Sequence, residues 1–168
     1  LFEPKLAGQY SFVSLVGKVI LFISLAISKS MFPISSQKFD EGQKTVEIFK
    51  KAIIIVGLTS LIISVFYFLF PRGVIKIVSL GSTEYLAASG ILGILAASYT
   101  LLALSNVVLL YKISVNKLNG IYAYIPGIFV LLELLLMIQY SSSLVSFSMA
   151  FLFVNIIMFL YSIWLIKK

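Results

Sequence analysis

Hydropathy along this chain separates into five long apolar blocks joined by short polar connections, at about residues 10–32, 51–70, 86–111, 121–140 and 144–166. Each block is near the roughly 20 residues that a helix rising about 1.5 Å per residue needs to cross a bilayer. The pattern predicts an all-α integral membrane protein: one transmembrane domain over residues 1–168, with five helices and no separate soluble module. Punctuation agrees with these cuts. Pro33 follows the first block, Pro71 follows the second, and Asn119-Gly120 opens the fourth. Asp40 with Gln43 three residues on resembles a capping box, so the second helix is expected to begin near Glu41, with Phe49 on its apolar side and Lys50 and Lys51 snorkelling to the headgroups. Residues 33–50 then form a basic cytoplasmic loop that fixes topology and meets anionic lipid.

Composition narrows the class. The chain is 61% hydrophobic and 11% charged, against about a quarter charged in ordinary soluble domains, so a water-soluble globule is excluded. Cys and His are both absent. That removes disulfides, a thiol nucleophile, an imidazole base and an ordinary zinc site. Neither a phosphate-cradling glycine loop nor carboxylates paired at hydrolase spacing can be found, so no enzyme and no cofactor are expected.

Charge sets the expected orientation. The net charge is +7, which in a membrane chain points to basic cytoplasmic loops and not to nucleic acid. Lys29, Lys38, Lys44, Lys50, Lys51, Lys112, Lys117, Lys167 and Lys168 fall on one side of the five blocks, and Lys5, Arg72 and Lys76 on the other, nine bases against three. The N-terminus is therefore expected outside and the C-terminus in the cytoplasm, across the inner (cytoplasmic) membrane. An odd number of spans from an outside start, with Leu1 in place of Met, predicts a piece of a longer chain with further helices upstream.

Two charges lie inside apolar blocks. Lys18 is about eight residues, roughly 12 Å, into the first, where an unpaired cation costs at least about 2.5–3.5 kcal/mol. Ser14 lies one turn before it and Ser11 two turns before, a polar stripe expected to face a cavity that takes an anion, with Gly17 allowing close approach. Glu133 sits about ten residues into the fourth block. Three readings stay open for it: a structural partner of Lys18 or another base, a protonatable coupling site, or a carboxylate kept neutral by burial.

Other polar positions read as packing. Ser89, Gly93 and Ala97 recur at the spacing that lets helices touch in lipid, and Asn106, Gln139 and Asn155 are expected to hydrogen-bond between helices. Pro126-Gly127 permits a kink early in the fourth span. Tyr10, Tyr85, Tyr111, Tyr122 and Tyr140 fall near span ends as an interfacial belt.

The order of several local signals resembles a known family. Gly8-Gln9-Tyr10-Ser11 enters a helix, Met31-Phe32-Pro33-Ile34-Ser35 leaves it, and Phe70-Pro71-Arg72-Gly73-Val74-Ile75 precedes a loop from Leu80-Gly81 to Tyr85. Together these resemble the C-terminal half of polysaccharide flippases of the multidrug/oligosaccharidyl-lipid/polysaccharide exporter superfamily, over about residues 8–117. One departure is that the family loop usually reads Gly-x-x-Tyr, whereas three residues separate Gly81 from Tyr85 here.

The resemblance implies two six-helix bundles around a cavity that opens to alternate sides, these five spans being the eighth to twelfth helices. It also implies a polyprenyl-pyrophosphate-linked oligosaccharide as substrate. Within that reading Lys18 meets the pyrophosphate, Ser14 and Ser11 add hydrogen bonds, and Glu133 takes a coupling Na⁺ or H⁺. Partners are membrane lipid and the N-terminal bundle of the same protein. Two alternatives stand beside it: a multidrug exporter of the same superfamily coupled to Na⁺ or H⁺, and a non-transporting membrane interaction subunit.

Overall fold

A computed structural model describes residues 2–118, 120–140 and 142–167. Leu1, Ser141 and Lys168 lie outside it, as does Asn119 of the expected Asn119-Gly120 start. Among the described residues the fold is all helical: α1 (Pro4–Gly17), α2 (Val19–Asp40), α3 (Val46–Leu69), α4 (Pro71–Val78), α5 (Leu92–Ser114), α6 (Ile125–Gln139) and α7 (Leu144–Lys167). Short 3-10 helices at Leu86–Ile91 and Gly120–Ala123 lead into α5 and α6. Four helical stretches are long and apolar enough to cross a bilayer: α1 with α2, α3, the 3-10 turn with α5, and α7. The chain is a multi-pass helical membrane bundle.

The first rod is longer than expected. α1 and α2 form one stretch of 37 residues, about 55 Å at helical rise, interrupted only at Lys18, where ψ relaxes to −14°. The bonds Lys18 N–H to Ser14 O and Phe22 N–H to Lys18 O persist through this joint. Pro33 does not end the helix; it lies inside α2. A proline there costs about 3 kcal/mol, offset by Ser28, Met31 and Ser35, which are buried before and after it.

The stop comes at Gly42, whose φ of +71° suits glycine. Gln43 N–H returns to Lys38 O and Gly42 N–H to Phe39 O. Of residues 33–50 only Glu41–Thr45 therefore lie outside helices. The capping box at Asp40 and Gln43 does not form, because Asp40 still belongs to α2 and Thr45 stands at the start of α3. Gln43 donates instead to Glu41 Oε2 at 2.9 Å.

The fourth apolar block is short as a helix. α6 has 15 residues, about 22 Å against a hydrocarbon core of about 30 Å. Pro126 falls in its first turn, where a missing N–H costs nothing, so it starts the helix and does not kink it.

α5 is the hub. α2, α3 and α7 pack along it, while α6 packs mainly on α7 and has no fully buried residue of its own. Registers are fixed at both ends: Gln9 Nε2 donates to Glu84 O at 2.7 Å near α4, and the Thr45 and Tyr111 hydroxyls meet at 3.0 Å at the far end. The α4-end core gathers Val13, Ile20, Ile75, Leu95, Tyr99 and Phe151; the other half gathers Met31, Val56, Ala103 and Val107.

Candidate functional site

Three elements bring a polar cluster to the α4-proximal half of the bundle. Ser14 of α1 is buried and its Oγ lies 2.7 Å from the Tyr99 hydroxyl of α5. This contact is possible because Gly17 lets α5 approach: a Cβ at Gly17 would stand 3.0 Å from the Tyr99 ring. Tyr10, one turn before Ser14, brings its phenol beside Ser14 and Tyr99, and Glu133 of α6 is near enough for its charge to be felt by both phenols. Phe147 and Phe151 of α7 close the cluster edge-on against Tyr10 and Tyr99, with ring centroids 4.9 and 5.3 Å apart.

The expected stripe of Ser11, Ser14 and Lys18 divides around the helix. α3 takes one edge of α1, where the Tyr67 hydroxyl donates to Val16 O at 3.2 Å. Ser14 sits at the opposite edge of the buried face, and Lys18, about 40° further round, is exposed, as is Ser11. Lys18 and Glu133 form no ion pair among the described residues; Glu133 is half-buried on α6.

α2 and α7 take different sides of α5. Both helices pack along α5 yet make almost no contact with each other. Lys18 is exposed on the α1–α2 rod, and Glu133 is half-buried on α6, which packs on α7. Asn106, one heptad below Tyr99 and hence near the same face of α5, has a buried Nδ2 with no hydrogen-bond partner. Asn155 bonds its own helix, Nδ2 to Phe151 O at 2.8 Å, and its Oδ1 is unpartnered. Neither Asn joins two helices as expected; back-bonding within α7 takes the donor of Asn155, and Gln139 is exposed at the end of α6.

Tyr10 and Tyr99 are the members that hydropathy reading misses. Hydropathy puts Tyr10 near a block end, as in an interfacial belt, but the helix begins at Pro4, which places Tyr10 inside it. Its spacing of four from Ser14 was the available signal. Tyr111 does serve an end of the bundle, stacked on Phe49 at 4.5 Å. Lys112, expected in a loop, is buried in the last turn of α5, where the carbonyl end of a helix favours a cation.

The cluster offers one carboxylate among hydroxyl oxygens. Among the described residues no three acidic side chains converge as a metal site would require. Proton exchange, single-cation coordination by oxygen, and hydrogen bonding to a polar ligand are the chemistries within its reach. No family model matches the chain, and no curated protein or solved structure does so either.

Proposed function

We propose that this chain belongs to a transporter that passes a polyprenyl-pyrophosphate-linked oligosaccharide across the cytoplasmic membrane by alternating access, with no covalent step. The observation that carries this reading is the pair of charges within the apolar bundle, an exposed Lys18 on the α1–α2 rod and a half-buried Glu133 on α6 beside the Ser14–Tyr99 contact. A lysine mid-way along an apolar rod, exposed and without a carboxylate partner, is expensive unless it faces water or an anion. In this reading Lys18 faces a space shared with a second bundle and neutralises part of the pyrophosphate. Ser11, on the same outward side, adds hydrogen bonds to sugar or phosphate, and Ser14 orients Tyr99. Glu133 exchanges the coupling proton or Na⁺, hard oxygen donors suiting either.

A second reading has its own support. Tyr10, Tyr99 and Glu133 are aromatic and acidic groups of the kind that attract an organic cation, which favours a multidrug exporter of the same general type. One experiment separates the two. In the full protein reconstituted in vesicles, Lys18→Ala abolishes transfer of a fluorescent lipid-linked oligosaccharide while membrane insertion is unchanged, and Lys18→Arg retains it. Normal transfer by inserted Lys18→Ala removes the flippase reading. Loss of ethidium export in Glu133→Gln with Lys18→Ala fully active would establish the exporter.

A further inference from the structure

α4 differs from every other helix in the molecule. It has eight residues, buries Val74 and Ile75 against the bundle, and exposes Arg72 and Lys76 one turn apart. Leu69, Phe70, Ile77, Val78 and Leu80 around it are large, apolar and exposed, Leu80 at 96%. Short length, two bases and an apolar surround at the end of a spanning helix describe an element lying in the plane of the headgroups.

Beside α4 is an open cleft of about 500 Å³ between the α3–α4 junction and the 3-10 turn that leads into α5. Arg72 is its one charged lining residue, and no acid lines it. Leu69 and Phe70 give it an apolar wall, and Gly73, Ala87 and Gly90 keep it open, a Cβ at Gly90 meeting nothing within 4 Å. Ser89 is already committed, its Oγ donating to Leu86 O at 2.7 Å. A second cleft of similar size, about 460 Å³ between α6 and α7, has no charged residue among its described lining.

We propose that the cleft at Arg72 holds an anionic phospholipid of the surrounding leaflet, its phosphate on the guanidinium and an acyl chain along Leu69 and Phe70. Guanidinium and phosphate match in charge and in planar, two-bond geometry. The apolar wall at the same depth takes what a free phosphate does not carry. The site lies at the α3–α4 junction, shares no residue with the Ser14–Tyr99 cluster, and stands independently of the transport reading.

The test uses the full chain in nanodiscs of phosphatidylcholine with a minor fraction of phosphatidylglycerol, and native mass spectrometry of the lipids that stay bound. The wild type keeps one phosphatidylglycerol per chain, preferred over phosphatidylcholine by about tenfold. Arg72→Gln brings that preference to parity. Gly90→Leu, which fills the cleft and leaves every charge in place, does the same. Lys50→Gln, at the opposite end of the bundle, leaves the preference intact. Because Arg72 and Gly90 are exposed, both cleft variants keep the wild-type unfolding temperature in neutral detergent. Equal retention by wild type and Arg72→Gln overturns the proposal, as does displacement of the lipid by inorganic phosphate, which would mark a simple anion site.

Discussion

The two faces of the α1–α2 rod invert the rule that holds in water. Its buried face interleaves Ser14, Gly17, Ser24, Ser28 and Ser35 with Val13, Val16, Ile20 and Met31; its exposed face carries Leu15, Val19, Phe22 and Ile23, with Lys18 and Lys29 among them. In lipid there is no gain in hiding leucine, so helices meet where small side chains let backbones approach. Ser24 returns its hydroxyl to Leu21 O at 3.1 Å, Ser14 meets the Tyr99 hydroxyl of α5, and Ser28 and Ser35 bury hydroxyls that have no hydrogen-bond partner among the described residues. On this rod the serines at 14, 24, 28 and 35 mark helix contact, while Lys18 and Lys29 lie on the outward face.

That contrast can be broken most severely at Gly17. Gly17→Leu drives a branched side chain into the Tyr99 ring and should cost about 1–3 kcal/mol, read as a lower unfolding midpoint in mild detergent; an unchanged midpoint would mean α1 does not pack there. The Ser14–Tyr99 hydrogen bond sharpens the comparison at a smaller scale. Ser14→Ala and Tyr99→Phe in a double-mutant cycle should show a coupling of about 0.6–1.7 kcal/mol, and additive effects would dissolve the pair. On the exposed face, Lys18→Ala should change folding stability by less than about 0.5 kcal/mol while removing the proposed transfer. Smallest of all is Pro126→Ala in the first turn of α6, expected within about 0.5 kcal/mol of wild type; a loss of several kcal/mol would mean that Pro126 shapes a bend after all.

These contrasts also explain what was legible beforehand. Long apolar blocks announce spanning helices, and α3, α5 and α7 lie close to where hydropathy puts them. Pro71 punctuates correctly because it follows a residue, Phe70, that leaves helical geometry at ψ 46°, as residues before proline tend to do. Pro33 misleads because packing on either side of it outweighs its local cost. The helix stops at Gly42 and at Asn116, both with positive φ and a returning N–H, were present as residues but carried no hydropathy signal.

The candidate site was partly readable for the same reason. A glutamate or lysine in an apolar block is conspicuous, so Glu133 and Lys18 stand out at once. What hydropathy does not contain is which face of a uniformly apolar helix meets which neighbour. The Ser14–Tyr99 contact joins residues 85 positions apart and depends on the close approach at Gly17. Tyr99 itself gave no warning, since a phenol in an apolar block is ordinary until a hydroxyl arrives beside it.

The unbroken course of the first rod has a mechanical corollary. From the Lys18 joint to Asp40 the helix extends 22 residues beyond the joint, a stiff lever arm of about 33 Å. A pivot of about 5° at the joint displaces the far tip by about 3 Å at that rise per residue. A fluorophore or spin label in the exposed turn at Glu41–Lys44 would register such a pivot without touching the bundle interior.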